Sequence, residues 1–227
     1  MYDWLLFDAD NTLFDFSAAE AHSLERTLAL TEIKWSQEVL GIYREINHIV
    51  WSEYEDGLMP KHLIRNIRFE RLLDRFRVSH DIDELSLAYR QGLASSHHLM
   101  EYATELLEIV SQKYRLGLIT NGLQEVQYPR LKNTGIGKYF EVIVVSDEIG
   151  VAKPQAAFFN HAFNLMGQPN PSRVLVIGDS PKADIGGALS YGCHACWMKN
   201  PGEVRKPLTE PHYTVNNLRE LERYYTG

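Results

Sequence analysis

Short apolar runs with little polar alternation recur along the chain at residues 4–7, 116–119, 140–145, 174–177 and 193–198. Their length and their β-branched or aliphatic character predict strands buried on both faces. Between residues 17 and 97 the pattern changes: apolar positions return every three or four residues, as on helices. Leu24, Leu28 and Leu30 line one predicted helix, and Val39, Ile42, Tyr43, Ile46, Val50 and Tyr54 line the next. Gly57 and Pro60 break the chain, Ile64, Ile67, Leu72 and Phe76 continue a third helix, and Asp81 caps a fourth carrying Leu85, Tyr89 and Leu93. From residue 101, helices predicted at 101–112, 123–133, 155–166 and 181–189 alternate with strands, and Val215 with a helix at 218–225 closes the edge. The pattern predicts an α/β fold, a doubly wound and mainly parallel sheet built from residues 1–16 and 98–227. An all-helical block, 17–97, is inserted after the first strand.

Polar residues gather just past the C-terminal ends of these strands, where ligands bind in open α/β sheets. Asp8 and Asp10 follow the first run; Thr120-Asn121-Gly122 follows the second; Lys153-Pro154 stands in the loop after the third; Gly178-Asp179-Ser180, with Asp184, follows the fourth. Two carboxylates at i and i+2 on a strand point to one side, and like charges that close are unfavourable without a cation or a proton between them. A hard dication such as Mg²⁺, which prefers oxygen ligands, answers that. Taken singly, each group has an ordinary reading: turn aspartates, a strand-end threonine, a solvated lysine, a helix cap. Four such groups in strand order predict a site.

Phe7-Asp8-Ala9-Asp10-Asn11-Thr12, Ile119-Thr120-Asn121-Gly122, Ala152-Lys153-Pro154 and Gly178-Asp179-Ser180-Pro181-Lys182-Ala183-Asp184 resemble the four motifs of the haloacid dehalogenase superfamily of phosphatases. Within it, the stretch 145–154 and the stretch 8–14 resemble the bacterial pyrimidine 5′-nucleotidase group, except that Asn11 stands at a turn position where Glu or Gly is expected. The resemblance implies a Rossmann-like core with a helical cap, and phosphomonoester hydrolysis through a phospho-aspartate on Asp8. It implies Asp10 as the acid and base, and Mg²⁺ on Asp8, the main-chain carbonyl of Asp10 and Asp179. Thr120 and Lys153 then hold the phosphoryl oxygens, Asn121 and the Gly122 amide add donors to the substrate, and Asp184 orients a metal water or Lys153 from a second layer. Dehalogenases of this kind typically lack the second aspartate and the metal, so Asp10 argues for a phosphatase. The expected substrate is a small phosphate ester, foremost a nucleoside monophosphate. A sugar-phosphate or phosphoglycolate phosphatase or mutase is the alternative, and a receiver-like phospho-acceptor domain is disfavoured by the inserted helical block. The cap would close over the crevice, and Phe14, Phe16, Trp35, Tyr43, Trp51 and Tyr54 are its aromatics, with Phe16, Trp51 or Tyr54 placed to stack on a base.

Composition narrows the field. At 227 residues the chain can bury a substantial core. A net charge of −7 argues against nucleic-acid polymers, which are bound largely through Lys and Arg on phosphates. The start Met1-Tyr2-Asp3 lacks the basic region of a signal peptide and no apolar run reaches membrane-spanning length, so the expected location is the cytoplasm. Cys193 and Cys196 read as small buried hydrophobes rather than a redox or zinc pair. Asp147 and Glu148 read as solvated or structurally paired, and His97 and His98 as exposed linker residues.

Overall fold

In the computed structural model, which describes residues 2–201 and 206–225, the apolar runs pair as parallel neighbours. The strands are β1 Trp4–Phe7, β2 Arg115–Thr120, β3 Val142–Val145, β4 Val174–Gly178, β5 His194–Met198 and β6 Tyr213–Val215. They form one sheet in the order β3-β2-β1-β4-β5-β6, with every pair parallel. The chain steps outward from β1 through β2 to β3, then returns to the other side of β1 for β4. That reversal opens a crevice at the C-terminal ends of β1 and β4, the switch point at which this class of sheet binds ligands. The third strand begins at Val142, two residues later than the sequence pattern predicts.

The chain divides into two compact units, Met1–Phe16 with His97–Gly227, and Ser17–Ser96. The second carries α1 Phe16–Leu28, α2 Gln37–Glu55, α3 Lys61–Phe76 and α4 Ile82–Ala94. Tyr43, Phe69 and Tyr89 meet there with ring centroids 5.4–5.7 Å apart, and Leu72, Leu85 and Leu93 of the same unit are buried as well. Asp81 caps α4, its carboxylate accepting from the amides of Asp83 and Glu84. Leu30 does not line α1: the helix ends at Leu28, the next residues turn away, and Leu30 is 44% exposed. Ile42 and Ile46 are only half-buried, while Asn47 takes the inward position between Tyr43 and Val50. There it donates to the buried Glu20 carboxylate at 3.2 Å, which also accepts from Arg44 at 2.8 Å. Of the aromatics, Tyr43 is fully buried in this unit and Phe14 in the core of the other; Trp51 and Tyr54 are half-buried and meet edge to face at 6.0 Å.

Helices cover both faces of the sheet. They include α5 Ala103–Val110, α6 Gln124–Thr134, the one-turn α7 Ser146–Ile149, which the sequence pattern did not predict, and α8 Ala156–Leu165. Leu5 and Phe7 face Leu106, Leu107 and Leu131 on one side; Trp4 and Leu6 face Phe158, Phe159 and Phe163 on the other. Alternate residues of β1 thus enter two different cores, which is why the strand shows no polar alternation. The helix predicted at 181–189 opens instead as a wide π turn, Pro181–Gly186, capped by Ser180 and continuing into α9 Gly187–Tyr191. Residues 218–225 likewise split into a 3-10 turn and α10 Glu222–Tyr225. Among the described residues, no helix is long and apolar enough to cross a membrane.

Candidate active site

Parallel register explains why distant polar residues meet. Phe7 pairs with Leu118 and with Ile177, so Asp8, Ile119 and Gly178 lie level across three adjacent strands. Neighbouring strands stand about 4.8 Å apart, within reach of short side chains placed one residue past their ends. Asp8 is buried at the end of β1, Thr120 closes β2, and Asp179 follows β4. Lys153 reaches in from the loop after α7 and is 1% exposed. Its ammonium donates to Asp8 Oδ1 at 2.7 Å, to Asp184 Oδ1 at 2.6 Å and to the carbonyl of Ile119 at 2.8 Å, which uses all three of its protons. Asp184 projects from the π turn, and its other oxygen accepts from the Ser180 amide at 2.9 Å. Gly178 makes this possible, because a Cβ there would collide with the Asp184 carboxylate.

The electrostatics are those of crowded, desolvated acids. One carboxylate oxygen from each of Asp8, Asp179 and Asp184 lies within 4.8 Å of the others. Burial pushes Asp8 up to about 7, against the opposing pull of Lys153 and with added repulsion from Asp184 and Asp10. Burial and then the neighbouring Asp8 and Asp184 hold Asp179 well above the ordinary carboxylate range. Burial works against the charged form of Lys153, but Asp184 and Asp8 outweigh it and hold the ammonium above its usual range. One ammonium therefore faces three carboxylates. Clustered hard oxygen donors short of positive charge fit a dication such as Mg²⁺.

Asp10 lies outside this cluster. Its Oδ2 accepts from Gln127 Nε2 at 2.6 Å and its Oδ1 from Arg130 Nη1 at 2.5 Å. Arg130 is fully buried, its guanidinium 4.0 Å above the Phe14 ring, and its Nε and Nη2 have no hydrogen-bond partner. Each such buried, unpaired donor costs roughly 1–3 kcal/mol. Neither Gln127 nor Arg130 was a sequence candidate. The available signal was positional: Leu123, Gln127, Arg130 and Leu131 recur at the spacing of an inward helix stripe, and two of the four are polar.

Asn121 and Gly122 each make contacts within the site. The Asn121 side chain clamps the main chain of Lys153, Oδ1 accepting from its amide at 2.9 Å and Nδ2 donating to its carbonyl at 3.0 Å. The Gly122 amide donates to Thr120 Oγ1 at 3.0 Å, which leaves that hydroxyl its own proton to donate elsewhere. The Asn121 side chain thus fixes the main chain of Lys153, and the Gly122 amide orients the Thr120 hydroxyl. Asp184 contacts Lys153 as expected, but it also belongs to the carboxylate cluster itself. Asn11 adopts φ 58°, a left-handed turn conformation that asparagine tolerates better than most side chains. Asp147 accepts from the Gln124 amide and Glu148 from the Tyr128 hydroxyl, so both are structurally paired. His97 and His98 are exposed. Cys193 and Cys196 are free and buried in the cores on opposite faces of the sheet.

The chain is similar to known proteins along nearly its whole length. The haloacid dehalogenase-like hydrolase family matches residues 2–192. The chain is 34% identical to the HAD-hydrolase YfnB of Bacillus subtilis, over 97% of this chain and 94% of that protein. It is 32% identical to the pyrimidine 5′-nucleotidase YjjG of Escherichia coli, over 98% of this chain and 97% of that protein. With the pyrimidine 5′-nucleotidase PynA of Streptococcus pneumoniae it shares 31% identity, over 97% and 93%. A crystal structure of the B. subtilis protein, bound to magnesium, superposes with a TM-score of 0.92 at 34% identity and 98% coverage of both chains.

Proposed function

The chain belongs to the haloacid dehalogenase-like hydrolases and is a phosphatase; from that premise we propose that it is a Mg²⁺-dependent nucleoside 5′-monophosphatase preferring pyrimidine nucleotides. The observation that carries the chemistry is the buried ammonium of Lys153 between Asp8 and Asp184, with Asp179 in the same cluster. Asp8, Asp179 and the main-chain carbonyl of Asp10 would hold Mg²⁺, which when bound supplies the positive charge that lets a phosphate dianion approach a carboxylate.

Asp8 is the nucleophile: its free oxygen forms a bond to phosphorus as the ester P–O bond breaks. Asp10 gives a proton to the departing oxygen. The same group, now a carboxylate, takes a proton from the water that attacks the phospho-aspartate, releasing phosphate and restoring Asp8. Lys153 offsets the charge of Asp8 and of the transferring phosphoryl group, and the Thr120 hydroxyl donates to a phosphoryl oxygen. Asn121 and Asp184 keep Lys153 in place from its main chain and its ammonium. Pyrimidine preference draws its support from near-full-length similarity to two pyrimidine 5′-nucleotidases. Phosphate release in Mg²⁺ tests it across pyrimidine and purine nucleoside monophosphates, sugar phosphates and phosphoglycolate. The expected result is the highest kcat/KM for a pyrimidine nucleotide; a sugar phosphate or phosphoglycolate leading the series would overturn it.

A further inference from the structure

Asp10 has both carboxylate oxygens taken by donors from one helix. Gln127 and Arg130 stand one turn apart on α6, and each aims its donor at a different oxygen of the same group. These side chains are not shared with another polar network: Gln127 Oε1 and Arg130 Nε and Nη2 are buried without hydrogen-bond partners. The Phe14 ring lies against the guanidinium and restricts its plane. Gly122 keeps the approach open, since a Cβ there would come 2.9 Å from Gln127 Cγ and closer still to its amide nitrogen. Two donors on a rigid helix, each otherwise underused, define the position and plane of one carboxylate.

We infer that Arg130 and Gln127 are positioning residues for Asp10, holding the carboxylate that remains after its proton has passed to the leaving group. The inference rests on the proposed role of Asp10 as proton donor. In the first step the Asp8–phosphorus bond forms, the ester P–O bond breaks with its electron pair going to the leaving oxygen, and the Asp10 proton goes to that oxygen. The product of the transfer is the Asp10 carboxylate, the species that two N–H donors stabilise. In the second step the same restraint presents that carboxylate to the attacking water. Misplacing a proton donor costs most where the leaving group most needs its proton.

The test is kcat/KM in Mg²⁺ over a leaving-group series running from p-nitrophenyl phosphate, whose phenolate departs without a proton, to alkyl phosphates and nucleoside 5′-monophosphates. Because kcat/KM reports steps up to departure of the alcohol, turnover of the phospho-enzyme does not blur it. Arg130→Met should lower kcat/KM for the alkyl esters by roughly 10–100-fold more than for p-nitrophenyl phosphate. Equal loss across the series is what a merely structural role produces, and it overturns the inference. Should Arg130→Met fail to fold, judged by circular dichroism and thermal melting, the same two outcomes read on Gln127→Met decide. Asp10→Asn separates the proton-donor role of Asp10 from the positioning role of α6. If Asp10→Asn discriminates among leaving groups and the α6 variant does not, the positioning role alone falls. A flat Asp10→Asn profile removes the proton-donor reading and this inference with it.

Discussion

At the N-terminal ends of the strands Arg115 pairs with Glu141 at 2.8 Å and Arg173 with Asp3, all four side chains being 42–54% exposed. At the C-terminal ends Lys153 pairs with Asp8 and Asp184 at 2.7 and 2.6 Å, and none of the three side chains is more than 10% exposed. Distances alone would rank the two ends together. Burial separates them. The exposed pairs lose little water and stay screened by salt, so they contribute little either way. The buried cluster has lost most of its water and carries an excess of negative charge, an arrangement that packing for stability would avoid. The lesson is that strong contacts do not mark a site; uncompensated buried charge does.

That contrast can be broken at several points. Asp8→Asn should abolish phosphate release, and near-normal kcat in this variant would remove Asp8 as nucleophile. Chelation by EDTA should also abolish activity and Mg²⁺ restore it; undiminished rates in chelator would refute a metal role for the acidic cluster. Lys153→Met should cut kcat by about 10²–10³-fold. It should also lower unfolding free energy by about 3–5 kcal/mol, because two buried carboxylates lose their partner. Phosphate release and urea denaturation read these two effects separately. At the opposite end, Glu141→Gln should leave kcat unchanged and shift stability by no more than about 1 kcal/mol. A drop in kcat there would mean the two ends are not independent. The smallest effect concerns the sheet between them. Burial pushes the thiols of Cys193 and Cys196 up to about 12, so at pH 8 almost no thiolate exists. Both should resist a thiol reagent until the chain is unfolded, and rapid labelling of the native protein would contradict their burial.

Much of the α/β framework was legible because strands covered on both faces are uniformly apolar: all five predicted runs end within one residue of the observed strands, and only the third starts two residues early. Where prediction slipped, local geometry intervened. Leu30 stands only two residues beyond Leu28, off the Leu24/Leu28 face, and follows the last helical turn, while 181–189, which contains Pro181, Gly186 and Gly187, widens into a π turn around Asp184. Candidate site residues were legible by position, since strand ends in a parallel sheet converge. Their division of labour was not. Nothing in the spacing of Thr120, Asn121 and Gly122 says that the asparagine grips the main chain of Lys153, or that the glycine makes room for Gln127.

Residue order by itself therefore determined the alternation of strands and helices, and the placement of acids, threonine and lysine at strand ends. Both follow from local periodicity and from the parallel topology that periodicity imposes. Only tertiary structure decided that Asp184 joins the carboxylate cluster and that Asp10 is held by Gln127 and Arg130. Those contacts join residues 117 and 120 positions apart along the chain. A side chain's partner at that distance is set by packing and burial, which no local pattern encodes.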